Sequence, residues 1–317
     1  MAIIKPKNVF LPPGFKLPRY TIEKRLSAGG FGAIYVAKHD NGYTVALKEF
    51  LPSALDCRNE SDKGFVHCKD EESQNKFLKG LDIFFKEADT VAKIRDDRVV
   101  AILDVFTANG TAYFAMPLEQ GETLQRLIKR NQNHIPERRI QQIFIDAASG
   151  IEVLHAHGLL HLDIKPGNLW VRPDGSVVVL DLGASREQDN YHLFGPPART
   201  PGYAAPEQHK SYKTTKLTIQ TDVYGLASSM YCCFEGKAPK VASERKESDL
   251  PYHKLRMGQA NDFLLKLIDD GMELNINKRI KTAEEFKERL LKIPRLSEVN
   301  VTKKVIGNAP EIKIEKN

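Results

Sequence analysis

The eight residues HLDIKPGN at 161–168 constrain this chain more than any other stretch. They set a histidine, an aspartate, a lysine and an asparagine directly behind the apolar pair Leu159 and Leu160. Ionisable groups beside apolar elements are costly unless they are paired, solvated or coordinated. Thirteen residues after Asn168, the run VVVLDLG reads as a buried strand that ends at Asp181. A carboxylate in that place wants a cation, and Asp163, Asn168 and Asp181 offer the hard oxygens that magnesium takes. Chemistry, rather than packing, is the better reason for such a cluster.

From Tyr20 the chain reads as strand, glycine turn, strand (YTIEKRL, SAGGFG, AIYVAKH), and a turn at Asp40, Asn41 and Gly42 leads into YTVALKEF. This is an antiparallel meander. Glycines in SAGGFGAIY let backbone amides approach a phosphate that a side chain would hold away. Sixteen residues past Gly32, Lys48 sits in an apolar strand, where a lone ammonium needs an anionic partner. Residues 51–73 form a polar, irregular insertion, after which Phe77, Leu81, Phe84, Ala88 and Val91 recur at helical spacing. Glu87 lies on the flank of that stripe, facing the sheet. A solvated helix face is its plainer reading, and Asp89 and Glu72 compete for the same role.

Two apolar runs, AILDVF and TAYFAM, flank a turn at Asn109 and Gly110 and read as a hairpin. Beyond Gly121 helices take over, around VYGLASSMYCCF, DFLLKLIDD and TAEEFKERLLKI. Four prolines among the first eighteen residues argue for an extended segment over the surface. Pro294 marks the end of folded structure, with a short strand expected at EIKIE in the tail.

With 41% hydrophobic and 28% charged residues in 317, the chain reads as globular. The net charge of +6 is spread without a basic block, and no nucleic-acid motif is present. No run approaches eighteen apolar residues, so no membrane span is expected. The N-terminus lacks a signal-peptide pattern, and four cysteines make no disulfide framework in a chain this size. A reducing cytoplasm is the simpler setting, in the producing cell or, for a secreted effector, in a host cell. Cys57, His67 and Cys68 are too irregularly spaced for zinc and read as surface loop. Cys232 and Cys233 read as buried thiols.

HLDIKPGN followed by DLG resembles the catalytic loop and metal motif of protein kinases. VALK resembles their lysine strand, and TPGYAAPEQ at 200–208 the end of their activation segment. The resemblance covers about residues 20–293 and is nearest to bacterial Ser/Thr kinases of the eukaryotic type. It implies an α+β, two-lobed protein-kinase-like fold: an N-lobe of antiparallel sheet plus one main helix (about 20–116), a hinge (117–121) and a mainly helical C-lobe (122–293). Residues 1–19 would form an extended N-terminal segment and 294–317 a tail.

It further implies Asp163 as the group that takes or orients the substrate hydroxyl's proton, Lys165 as its charge partner at the phosphoryl group, and Lys48 paired with Glu87 over the ATP phosphates. Asn168 and Asp181 would hold Mg2+. Ser27, Gly29, Gly30 and Gly32 would cover the phosphates, and Ile34 would join the nucleotide site. Leu26 and Ala46 would roof the adenine, with Met116 behind it, Pro117 offering a carbonyl and Glu119 a backbone amide. His161 would pack in an internal stack with Val91, Leu103 and Leu182. Glu207 would pair with Arg279, Asp222 would brace the catalytic loop, and Thr200 beside Lys165 points to Ser/Thr acceptors in a protein substrate.

Three departures qualify this pattern. Leu162 replaces the arginine that ordinarily meets an activation-segment phosphate, and between Asp181 and Glu207 few residues, Ser185, Tyr191 and Thr200 among them, could accept one. Activity without such phosphorylation is the expectation. Ser27 replaces a glycine. Trp170 replaces the leucine beneath the adenine, with its ring either on the base or turned into the core. These departures motivate the alternative of a pseudokinase scaffold. A small-molecule phosphotransferase is the other alternative, and TPGYAAPEQ weighs against it.

Overall fold

Five strands, β1 (Tyr20–Ala28), β2 (Gly32–His39), β3 (Thr44–Phe50), β4 (Asp104–Ala108) and β5 (Thr111–Pro117), form an antiparallel sheet in the order β1-β2-β3-β5-β4. The computed structural model describes residues 8–30, 32–131, 135–180, 200–209, 217–245 and 262–293. Asp181, Leu182, Ser185, Tyr191 and the stretch EIKIE lie outside these. The β4–β5 turn is built as its sequence asks, with Asn109 and Gly110 both left-handed at φ 52° and 74°.

Alternation along the strands divides the sheet's two faces. Ile34 pairs with Lys48 and Lys48 with Phe114, while Ala46 pairs with Met116, so these side chains share one face. Val45, Leu47, Tyr35 and Tyr113 take the other. The outer face is not bare. Leu11 and Leu17 pack onto it at 3% and 8% exposure, so the proline-bearing N-terminal segment does run across the surface, but as a cover for apolar sheet.

Helix α1 (Glu71–Ala92) begins where Asp70 accepts a hydrogen bond from the Ser73 N–H, and it buries Phe77, Phe84, Ala88 and Val91. The segment before it departs from the expected surface loop. Leu51, Leu55, Cys57, Val66 and Cys68 share a core with Phe77 and Phe84, and Arg58 is among the largest fully buried side chains. Cys57 and Cys68 are joined as a disulfide. This pairing corrects the reading of four unpaired cysteines and removes the cysteine argument for a reducing compartment. Cys232 and Cys233 are buried thiols, as expected.

The second lobe has a three-stranded sheet, β6 (Glu122–Thr123), β7 (Leu169–Val171) and β8 (Val177–Val179), and helices α2 (Leu124–Arg130), α3 (Glu137–Ala156), α4 (Ile219–Glu235), α5 (Asp262–Gly271) and α6 (Ala283–Lys292). Helix α4 is buried almost all round, which its near-continuous apolar sequence requires. The lobes meet through backbone: Val100 N–H donates to the Val179 carbonyl at 3.1 Å, and Val179 N–H to that of Arg98 at 2.8 Å. The expected two-lobed α+β architecture is the one observed. Among the described residues, no helix is long and apolar enough to cross a membrane.

Candidate active site

A cavity of about 340 Å³ opens between the lobes. Its roof is the inner sheet face, with Leu26, Ile34, Ala46 and Lys48. Helix α1 brings Glu87 and Val91 to one wall, the connection between the lobes brings Met116, Pro117 and Glu119 to another, and Asn168 and Trp170 lie below. Lys48 is only 6% exposed, and its Nζ stands 5.3 Å from the Phe114 ring centre. The ring face supplies part of the negative potential that a buried ammonium needs.

At the cavity's lower edge the loop after α3 converges on Asp163. Thr200 Oγ1 donates to its Oδ1 at 2.8 Å, and Lys165 Nζ donates to its Oδ2 at 2.6 Å and to Thr200 Oγ1 at 3.1 Å. Asn168 Nδ2 donates to the Asp163 carbonyl at 2.8 Å and to Oδ2 at 3.1 Å. These bonds hold the carboxylate in one orientation, with 10% of its side chain exposed.

The loop is anchored from behind by a carboxylate that never reaches solvent. Asp222, near the start of α4, accepts hydrogen bonds from the backbone N–H of His161 (2.8 Å) and of Leu162 (2.7 Å), and its Oδ2 lies 2.8 Å from His155 Nε2. Burial opposes its ionisation. The His155 bond and charge, with the Leu162 amide, outweigh burial and hold the carboxyl below the usual carboxylate range. The anchor matters because Leu162 is left-handed at φ 64°, a conformation that costs a branched side chain. The Leu162 carbonyl in turn accepts from Gln208 Nε2 at 2.8 Å. Gly225 lets the loop lie against α4, since a Cβ there would stand 2.8 Å from the Cβ of Ile164.

Several expectations resolve in place. Glu207 and Arg279 form a buried two-bond ion pair at 2.7 and 3.1 Å. His161 is fully buried, its Nε2 3.0 Å from the Leu180 carbonyl. Trp170 turns toward the cavity, with Nε1 donating to the Gln120 carbonyl at 2.9 Å. The Glu119 side chain binds Arg172 through two hydrogen bonds, of 2.8 and 2.9 Å, which ties the connection between the lobes to the end of β7.

One needs correction: Leu103 is 52% exposed and cannot stack inside; Ile102 is the neighbour that faces the cavity. Ser27 lines the cavity, and Gly29, Gly30 and Gly32 lie at the β1–β2 turn that follows it, where Gly29 N–H donates to the Gly32 carbonyl at 2.8 Å. Sequence reading also passed over Phe114 and Arg126, both on the cavity wall. Phe114 was within reach of strand alternation, two places before Met116. Arg126 carries no local signal.

A divalent cation fits the one ligand in view. Asn168 spends its amide nitrogen on Asp163, so its remaining side-chain donor is a carbonyl oxygen, the hard type magnesium prefers. Its expected companion Asp181 lies outside the described residues. Among the described residues no cluster of three His, Cys, Asp or Glu side chains could hold a metal by itself.

Fold and cleft together are those of a two-lobed kinase. The protein kinase domain model matches residues 20–293, and the chain belongs to that family. A probable serine/threonine-protein kinase of Clostridium perfringens is 29% identical over 231 residues, which cover 70% of this chain and 33% of that protein. The serine/threonine-protein kinase PknD of Mycobacterium tuberculosis is 26% identical over 285 residues, 86% of this chain and 39% of PknD. The chain thus spans only part of the curated relatives it matches. The solved structure of PpkA-294 in its apo form superposes with a TM-score of 0.75 at 27% identity, covering 89% of this chain and 99% of that one.

Proposed function

We propose that residues 20–293 are the catalytic unit of an ATP-dependent Ser/Thr protein kinase, with flanking segments at 1–19 and 294–317. The observation that carries the reading is the convergence of Lys165, Asn168 and Thr200 on Asp163 beside a cleft that contains Lys48 and Glu87. In the proposed reaction, a Ser or Thr hydroxyl oxygen of a protein substrate bonds to the γ-phosphorus of ATP. The bond to the β-phosphate oxygen breaks, ADP leaves, and the hydroxyl proton passes to Asp163. Lys165 neutralises charge on the moving phosphoryl group. Lys48, oriented by Glu87, grips the phosphates, while Ala46, Met116, Pro117, Glu119 and Trp170 house the adenine. Asn168 and Asp181 would hold Mg2+, which when bound offsets charge on the phosphates. Catalysis then rests on positioning and fixed charge.

We further propose that this activity needs no activation-segment phosphate. Leu162 is buried in an apolar cluster with Leu160 and Leu217, with Ile219 against it, so the position offers no cation for a phosphate to meet. Incubation of the full chain with labelled ATP and a generic protein acceptor tests both statements. Transfer is expected from the wild type and lost in Asp163→Ala and Lys48→Met. Phosphatase-treated enzyme should keep its rate. Transfer that survives Asp163→Ala would refute the assignment, and a wild type that binds ATP without turnover would favour a scaffold.

A further inference from the structure

The segment 51–70 between β3 and α1 touches each piece proposed to handle phosphate. At its start, Ser53 N–H donates to the Gly30 carbonyl at 2.9 Å, pinning the glycine turn. In its middle, Arg58 reaches the outer face of β3 and binds the carboxylate of Glu49, the residue after Lys48. Arg58 Nη1 donates to Oε2 at 3.0 Å, and Nη2 donates to Oε1. At its end, Cys68 N–H donates to Gln74 Oε1 at 2.9 Å, and Asp70 caps the helix that carries Glu87.

The Arg58–Glu49 arrangement is an expensive way to fill space. Both side chains are out of solvent, at 1% and 0% exposure, and removing two charges from water is often no better for stability than packing apolar groups of the same volume. Much of the surroundings is organised around this pair. Tyr35 and Tyr113 hydroxyls donate to the Glu49 oxygens at 2.8 and 2.6 Å. Asn8 Oδ1 accepts the backbone N–H of Cys57 and of Arg58 at 3.0 and 3.1 Å, while its Nδ2 donates to the carbonyls of Pro52 and Leu55 at 3.1 and 2.9 Å. The Cys57–Cys68 disulfide closes the same segment. What fixed, directional bonds add over apolar packing is a unique position. Lys48 and Glu49 leave β3 on opposite faces, so whatever holds one sets the height of the other.

We propose that Arg58 is a positioning residue for phosphoryl transfer: through Glu49 it fixes the strand of Lys48 against α1 and the glycine turn, keeping the phosphate-handling groups assembled. This rests on the reading of Lys48 and Glu87 given above. Because displacement of a positioning element by about 1 Å can cost about 100-fold in rate, the effect belongs in kinetics as well as in stability.

The test replaces the pair by apolar groups of similar volume, Glu49→Met with Arg58→Met in the full chain, beside wild type and Lys48→Met. The paired variant should melt close to wild type while its KM for ATP rises about tenfold and its kcat falls about tenfold. A paired variant with wild-type melting, KM and kcat would overturn the proposal. If the paired variant does not fold, the decision passes to hydrogen exchange of the wild type with and without an ATP analogue and magnesium. Coupling is reciprocal, so a bound nucleotide should slow exchange across 51–70; protection confined to the glycine turn and β3 would overturn the proposal. Full transfer by Lys48→Met would instead remove the reading of Lys48. An inactive Lys48→Met beside a fully active paired variant removes only the role of Arg58.

Discussion

Two buried carboxylates hold this site from opposite sides, and they are built differently. Asp222 anchors the catalytic loop from below through two backbone N–H groups and an imidazole. Glu49 anchors the lysine strand from above through an arginine and two phenols. The lower anchor binds the loop itself, so its geometry is shared with a strained backbone. The upper anchor binds side chains, two phenols from the flanking strands and Arg58 from the neighbouring segment, so its geometry depends on that segment being in place. A carboxylate held by backbone is as rigid as the fold, whereas one held by side chains is as rigid as their packing.

Breaking the lower anchor should have the larger effect. Asp222→Ala strands two buried N–H groups and releases Leu162 from its support, at a cost of about 4 kcal/mol. Urea unfolding measures that loss, and phosphoryl transfer should vanish with it; a variant within about 1 kcal/mol of wild type would reverse the order of the two anchors. Removing only Arg58, as Arg58→Met, leaves Glu49 a buried charge with phenols alone for company, and should cost about 3 kcal/mol in the same assay.

Acid distinguishes the anchors further. The folded pKa of Asp222 lies below its unfolded value of about 3.9, so its contribution is fully present above that value and is lost as pH falls through the lower folded value. Melting curves of wild type should therefore fall more steeply below about pH 4 than those of Asp222→Asn. Equal slopes would contradict the sign. The smallest effect is expected at a residue tied to neither anchor: Trp170→Leu should weaken ATP binding about fivefold, equivalent to about 1 kcal/mol, and leave the melting temperature unchanged.

The lower anchor was legible in the sequence and the upper was not, for a physical reason. HLDIKPGN announces its chemistry in its own residues, whereas Asp222 and the Glu207–Arg279 pair were legible through the resemblance to protein kinases. The helix of Phe77, Phe84 and Val91 and the turn at Asn109 and Gly110 were equally plain, because period and turn chemistry are local. Arg58 looked like surface because its partners, Asn8 and Glu49, contribute no pattern around it, and the contacts from Asn8 cross more than forty residues of chain. The Cys57–Cys68 pairing was hidden although its sequence separation is only 11, because two cysteines in a polar, irregular stretch carry no pairing pattern. Leu103 failed differently. AILDVF is apolar on both faces, so alternation could not set which neighbour points inward, and a slip of one residue exchanges inside for outside. β4 begins only at Asp104.

The chain contains one tryptophan, and it faces the cavity with its indole N–H bonded to the Gln120 carbonyl. Any ligand that enters changes the polarity around that ring, and any shift of the connecting strand alters its hydrogen bond. Its emission is therefore a built-in optical reporter of cavity occupancy, requiring no label and free of background from a second indole. A titration followed at that one chromophore reads ligand entry directly, in this chain and in every variant of it that retains Trp170.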